Sequence, residues 1–177
     1  MKFEIYRFIP KKEIKNAAVL TGVFILATAA LWIIQVFINN PNLKMIYQLS
    51  GVVTATIAAQ ITTRFIISGY IYILNETDFI IFKASSKKSV QVCNISLETA
   101  IDVIDISGKN KKFADIKKQF GKIDIRLNFC QNLFPGKSYS YIFDYGDKKA
   151  LIKFEGDEYF IAEMKRRIDY AKLGDWE

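Results

Sequence analysis

The sequence predicts a membrane helical hairpin followed by an all-β domain that a C-terminal amphipathic helix closes. Two long apolar runs, a series of short alternating segments and a final segment with helical periodicity lead to this prediction. The chain has 177 residues, which leaves room for the hairpin and one small domain. We therefore expect a basic segment at residues 1–16, the hairpin at residues 17–68 and the β-rich domain at residues 69–177.

The hairpin prediction rests on two apolar runs near the start of the chain. The first covers residues 17–38 without a charge, and the second covers about residues 45–68, with no charged residue before Arg64. At about 1.5 Å per residue, each is long enough to cross a hydrocarbon core of about 30 Å. Only six residues separate the runs, so they form a turn. The apolar run continues past the small residues that resemble a signal-peptide cleavage site, so cleavage there is the less favoured alternative.

The distribution of charge orients the predicted hairpin. The net charge is +7, with five basic and two acidic residues in residues 1–16, whereas residues 69–177 carry 18 basic and 16 acidic residues. Because much of the positive excess flanks the apolar runs, it does not indicate a nucleic-acid partner. Lys44 is the only charged residue of the turn, so the positive-inside rule places both termini in the cytoplasm. We expect a multi-pass protein of the cell membrane with lipids as its surroundings.

Small residues recur at a spacing of four along the second run, and they form a predicted helix-packing face. Its members are Gly51, Ala55, Ala59 and Thr63. Small side chains let a neighbouring helix approach closely in lipid, and the neighbour is either the first helix of the hairpin or a second copy of the chain. Gln48 and Gln60 lie in the same run, and they support an alternative function as an oligomeric small transporter or pore component.

Seven short segments after Gly69 alternate between apolar and polar residues, as strands do. They cover residues 70–74, 79–84, 89–95, 100–106, 123–130, 139–145 and 148–155. The last two are joined by Gly146 and Asp147, and a glycine in first place suits the turns that two-residue hairpins favour. Their spacing predicts an antiparallel sandwich or barrel.

The final segment, residues 157–173, has helical periodicity instead. Apolar residues recur every three or four positions from Phe160 to Ala171, charged residues mostly occupy the other face, and Gly174 follows. We expect an amphipathic helix that covers the open end of the sheet.

This order of elements resembles that of the bacterial pleckstrin-homology-like (PH-like) membrane proteins. The resemblance is carried by the hairpin that leads into GYIYILNETDFIIF, by NISLETAIDVIDI and by the closing KKALIKFEGDEYFIAEMKRRI. It implies a PH-like barrel of about seven antiparallel strands on the cytoplasmic side, and a membrane-tethered binding or scaffolding role. The resemblance carries over no catalytic residue.

A lysine-rich segment between Gly108 and Lys122 interrupts the strands. The spacing of Phe113, Ile116 and Phe120 predicts a short helix, and the lysines face either solvent or anionic headgroups. A further alternative function is therefore anionic-lipid sensing, although Glu76 and Asp78 in the first loop do not favour phosphoinositides. The predicted membrane-surface contacts are Lys11, Lys12, Lys15, Arg64, Lys111, Lys112, Lys117 and Lys118.

The sequence does not predict an enzyme. It contains no histidine, which removes the usual general base at neutral pH and the commonest metal ligand. Cys93 and Cys130 stand alone in strand-like segments, where we expect reduced core thiols. We predict no cofactor, metal or catalytic residue. The leading hypothesis is a non-enzymatic binding or scaffolding protein whose domain contacts a protein partner or a second copy at the cytoplasmic face of the membrane.

Overall fold

A computed structural model describes residues 4–85, 88–107 and 113–173. The chain forms two compact units in it. One consists of residues 12–69, and the other combines the segment before residue 12 with the residues from Tyr70 onwards. The first unit is helical and the second is β-rich.

The helical unit consists of α1 (Ile14–Ile34), extended by a 3-10 turn (Gln35–Phe37), and α2 (Pro41–Ile61), extended by a π-helical turn (Thr62–Ile67). The start of α2 has a clear local cause. The Asn40 side chain accepts a hydrogen bond of 2.9 Å from the Asn42 N–H, and Pro41 occupies the first helical position. Such a cap satisfies a backbone donor that the helix itself leaves unpaired, so the helix starts before the apolar run does.

Both helices are long and apolar enough to cross a membrane, by the criteria of length and composition. With their extensions they cover 24 residues (Ile14–Phe37) and 27 residues (Pro41–Ile67), and only 11% of each apolar window is buried within the chain. A core helix of a soluble protein would bury most of its apolar side chains. The low burial therefore leaves a large apolar surface on each helix.

The helices pack through small and hydroxyl-bearing residues. The hydroxyls of Thr28 and Thr54 share a hydrogen bond of 2.8 Å, and Ala58 is buried in the same interface. Gly51 faces the indole of Trp32, and a Cβ atom added to this glycine would lie 2.7 Å from the Trp32 Nε1. Close approach of the two backbones thus depends on the absence of a side chain at position 51.

The first sheet of the β-rich unit has the order β1-β2-β3-β4. Its strands are β1 (Tyr6–Phe8), β2 (Gly69–Leu74), β3 (Asp78–Ser85) and β4 (Lys88–Ser96). The sequence did not predict β1, whose three residues pair antiparallel with β2 in the register Tyr6↔Leu74 and Phe8↔Tyr72. The pairing of β3 with β4 shifts between Ile81↔Cys93 and Phe82↔Gln91, which leaves Val92 as the extra residue of a β-bulge.

The second sheet has the order β5-β7-β8-β6. Its strands are β5 (Ala100–Asp105), β6 (Ile125–Asn128), β7 (Ser138–Tyr145) and β8 (Lys148–Glu155). The tight turn between β7 and β8 contains Gly146 with a φ of 59°, a left-handed conformation that glycine adopts without strain. Within this hairpin β8 pairs with β7 on one side, so β6 pairs with the other side of β8.

Two parts of the fold prediction need correction. The strands are not all antiparallel, because β6 runs parallel to β8 in the register Ile125↔Ala150. The predicted closed barrel was not confirmed either, since no strand pairing joins the two sheets within the described residues. The seven predicted segments do contain strands, and they are arranged as two separate sheets.

Two helices complete the β-rich unit, and both were predicted. Helix α3 (Phe113–Phe120) packs Ile116 on a small cluster with Ile142 and Leu151. Helix α4 (Glu158–Leu173) begins where the Asp157 carboxylate accepts the Phe160 N–H at 2.7 Å. Its apolar face enters the main core through Phe160, Met164 and Ile168. The centre of that core is aromatic, and the Phe79 and Phe154 ring centroids lie 5.3 Å apart.

Substitution of Gly51 by alanine tests the helix interface. Gly51→Ala forces the Trp32 indole to move, whereas Gly22→Ala is the matched control because an added Cβ there meets no atom within 4 Å. Both changes gain about 1 kcal/mol of helix propensity, so their difference reports the steric conflict. We expect a lower thermal midpoint for Gly51→Ala than for Gly22→Ala in detergent, and a changed emission of Trp32 in a Trp176→Phe background. Equal midpoints and unchanged emission would contradict the interface.

Candidate functional site

A buried guanidinium ties three segments of the β-rich unit together. Arg167 on α4 is only 3% exposed. Its Nη1 donates to the carbonyls of Leu74 (3.0 Å) and Asn75 (2.8 Å), and its Nη2 donates to the Glu4 carbonyl at 2.7 Å. Its Nε donates to the Glu163 carboxylate at 2.8 Å. These bonds compensate for the removal of the charge from water, and they hold the start of the chain against the end of β2.

The same N-terminal segment is held at its other end by a buried amide. The Asn132 Nδ2 donates to the Lys11 carbonyl and to the Glu155 Oε2, both at 2.8 Å, and the Asn132 N–H donates to the Glu155 Oε1 at 2.6 Å. Nearby, the Tyr72 hydroxyl donates to the Phe129 carbonyl at 2.8 Å. Burial raises the pKa of Tyr72 well above its ordinary value, so the hydroxyl keeps the proton that it donates.

These buried polar groups serve the fold through the bonds just described. Neither Arg167 nor Glu155 was predicted from the sequence as an important residue. A signal for Arg167 was nevertheless present, because it lies three residues after Met164 and four before Ala171. It therefore occupies the apolar face of the amphipathic helix, and a charged residue at such a position indicates a buried partner.

The predicted membrane-surface residues near the helices have different surroundings. Lys12 is half-buried, and its Nζ donates to the carbonyls of Ile66 (2.6 Å) and Ser68 (3.0 Å) at the end of the second helix. Burial lowers the pKa of Lys12. Lys15 is exposed, and the Arg64 guanidinium lies 5.1 Å from the Phe65 ring centroid in a cation–π contact. Lys12 therefore caps the C-terminal end of the second helix, where backbone carbonyls otherwise lack hydrogen-bond partners.

The remaining basic positions belong to the β-rich unit. The side chains of Lys117 and Lys118 are exposed on α3, and the Lys11 side chain is exposed beside its hydrogen-bonded carbonyl. Lys111 and Lys112 lie outside the described residues. The exposed lysines are available to an anionic surface or to solvent.

The four residues of the predicted helix-packing face do not share one environment in the structure. Gly51 is buried against α1, whereas Ala55, Ala59 and Thr63 are exposed. A spacing of four advances about 400° on an α-helix, so the direction drifts by about 40° at each step. The three exposed residues line one side of a groove of about 580 Å³ between the two helices, with Trp32 on the other side.

A cleft of about 600 Å³ opens between the two sheets of the β-rich unit. Its volume lies within the usual range for ligand sites. Its lining residues come from β4, β6 and the β7–β8 hairpin, with one residue before β5: Val92, Cys93, Asn94, Ile95, Ser96, Thr99, Ile125, Leu127, Phe143, Asp144, Tyr145, Gly146 and Ala150. Asp144 is the only one of these residues with a charged side chain, so most of the surface is neutral and apolar.

Comparisons of the chain with protein-family models, with curated proteins and with solved structures find no match.

The ion pair between Glu163 and Arg167 lies within α4, and removing it tests how Arg167 holds the N-terminal segment. Burial acts to raise the pKa of Glu163, but hydrogen bonds from Arg166 and Arg167 outweigh it, and the pKa lies below its ordinary value. A lowered pKa contributes stability above the unfolded-state pKa, and this contribution is lost as the pH falls through the folded-state pKa. We expect Glu163→Gln to cost about 2 kcal/mol at pH 7, which lowers the melting temperature by roughly 4–8 °C, and the difference from wild type to shrink in acid.

The control for this variant is Glu158→Gln on the same helix, which removes an exposed pair with Lys137, the residue before β7 (2.6 Å). An exposed pair contributes little, so the melting temperature should stay unchanged. Equal effects of the two variants at pH 7 would contradict a special role for the Glu163 carboxylate.

Proposed function

We propose that this protein is a non-enzymatic, membrane-anchored binding or scaffolding protein. Its two apolar helices cross the cell membrane, and its β-rich unit contacts a protein partner or a second copy in the cytoplasm. The observation that carries the proposal is the large apolar surface of both helices, whose apolar windows are each only 11% buried within the chain. In water such a surface would be costly, and contiguous exposed apolar surface marks a membrane or protein contact.

The arrangement of the N-terminal strand supports a hairpin topology. β1 precedes the two helices and β2 follows them, yet the two strands pair residue by residue in one sheet. Two helices separated by a short turn return the chain to the side from which it started. The basic residues before α1 favour the cytoplasm as that side.

The order of the elements supports the proposal of a PH-like domain. Seven strands of the β-rich unit follow the helices, and α4 covers the core after them, as the resemblance implies. The parallel β6 and the separation of the two sheets depart from that pattern. The binding role therefore depends on the surfaces of this particular unit more than on the resemblance.

A structural role for the buried charges supports a non-enzymatic function. Glu155 and Arg167 are buried, and each has the backbone and side-chain hydrogen bonds described above. With no histidine in the sequence, the usual general base at neutral pH is missing.

The exposure of glutamines on α2 supports self-association as one form of the binding role. Gln48 and Gln60 are exposed within the 27-residue apolar helix. A polar side chain that faces hydrocarbon without a partner is unfavourable, and helices satisfy such groups by hydrogen bonds to one another. A helix of a second copy is the partner that we propose for these glutamines.

The topology is tested with single cysteines in a background where Cys93 and Cys130 are serine. We expect a membrane-impermeant maleimide to label Asn39→Cys, in the turn, from outside intact cells. Lys165→Cys lies on the exposed side of α4, and we expect its labelling only after permeabilisation. The opposite pattern, or equal labelling of both in intact cells, would contradict the proposed orientation.

The binding role is tested by cross-linking in native membranes followed by mass spectrometry. We expect reproducible cross-links to a second copy or to one protein partner. For a second copy, Gln60→Leu should weaken association by about 1 kcal/mol, roughly fivefold, through loss of a hydrogen bond. Val53→Leu is the control, because it also alters an exposed position of α2 but removes no polar group. Recovery of neither self-contacts nor any reproducible partner would overturn the proposal.

A further inference from the structure

The cleft between the two sheets presents the edge of β4. Five consecutive residues, from Val92 to Ser96, line it. Side chains alternate between the two faces of a strand, so a face alone would contribute every second residue. A consecutive run indicates that the backbone edge itself faces the cleft.

This edge is open to another strand. β4 is the terminal strand of the first sheet, and in the described parts of the chain it pairs only with β3. Exposed edges are usually protected by charges, proline or short length. β4 has nine residues, of which only Lys88 is charged, and Val90 and Val92 are 61% and 41% exposed. After the bulge at Val92, the ladder from Cys93 to Ser96 is regular, so every second residue of this run presents its backbone N–H and C=O at the open edge.

The opposite wall of the cleft is a face of the second sheet. Phe143 pairs with Ala150 and Ala150 pairs with Ile125, so these three residues form one apolar rung across β7, β8 and β6. Phe143 and Ala150 belong to the buried core, whereas Ile125 and Leu127 on β6 are partly exposed and form the accessible apolar surface of this wall. A strand added to β4 would place alternate side chains against this surface.

We propose that the cleft binds an extended peptide segment, which adds a strand to β4 at Cys93–Ser96 and places alternate apolar side chains on the accessible surface of Ile125 and Leu127. The inference rests on the proposed binding function and names the class of partner. Strand addition draws affinity from main-chain hydrogen bonds and specificity from the alternate side chains. A segment of about five residues spans about 17 Å.

The chemistry of the lining favours a peptide over a lipid chain. A row of backbone N–H and C=O groups requires a partner with the same groups at the spacing of a strand, and an acyl chain has none. Among the lining residues that the structure describes, only Asp144 is charged, so the segment carries uncharged apolar residues at the positions that enter the cleft.

The rate at which a maleimide alkylates Cys93 measures whether the cleft is occupied, because this thiol lines the cleft. The full chain in lipid nanodiscs is treated with N-ethylmaleimide, with and without the peptide Lys-Thr-Val-Thr-Val-Thr-Lys, acetylated and amidated. Burial raises the pKa of the Cys93 thiol, so mildly alkaline buffer is used. At a peptide concentration ten times Kd, the alkylation rate falls about tenfold, because only the empty fraction reacts. Cys130, 2% exposed, serves as an internal reference.

Matched probes and variants separate strand addition from other contacts. The same peptide with alternate backbone nitrogens methylated keeps its side chains but loses donors, and it should not protect. Leu127→Trp, at an exposed lining position, adds bulk to the cleft and should abolish protection, while Ser89→Trp, exposed on β4 outside the lining, should retain it. Leu127→Asp, at a partly exposed position, is a second variant that should reduce protection.

Three outcomes would overturn the proposal. They are absence of protection by the peptide, equal protection by the methylated peptide, and protection by 1-dodecanol without protection by the peptide, which would assign the cleft to an apolar small molecule. None of these outcomes depends on partners recovered from native membranes. Failure of this inference is therefore distinguishable from failure of the proposed binding function.

Discussion

The buried guanidinium of Arg167 is the interaction on which the arrangement of the β-rich unit depends. It contacts α4, the end of β2 and the segment before β1 at the same time. A charge in the interior is stable only when its hydrogen bonds are satisfied, and the carbonyls of Glu4, Leu74 and Asn75 lie within reach only when these three elements are assembled. Arg167 thus couples the two ends of the chain.

This coupling matters because the helices interrupt the β-rich unit. The loop between β1 and β2 contains the whole helical unit, so closing it has an entropic cost that grows with its length. Three paired residues in β1 are a small contribution, and the aromatic contacts of Tyr6 and Phe8 with Phe160, at 5.8 and 5.1 Å between centroids, add to it. Arg167 and Asn132 then hold the two ends of the segment through its carbonyls.

A second constraint is that each sheet ends in an edge strand of its own. The first sheet ends at β4 and the second at β6, and the cleft lies between them. A closed barrel has no edges, whereas this unit keeps a nine-residue edge with one charge. The bulge at Val92 limits the regular part of that edge to a few residues, which favours a short added strand over unlimited pairing.

The sequence by itself determined the features that depend on local pattern. These are the two apolar helices, the glycine turn between β7 and β8, and α4 with its apolar face, because length, residue type and periodicity act within a few turns or residues of chain. Only the tertiary structure decided the strand β1, the parallel pairing of β6, the hydrogen-bond partners of Arg167 and which small residues of α2 contact α1. β1 is too short for a periodic signal, β6 takes the side of β8 that the β7–β8 hairpin leaves open, and the drift of about 40° per four residues turns Ala59 away from α1. Each depends on which distant segment arrives as a neighbour, and that information is not contained in any local stretch.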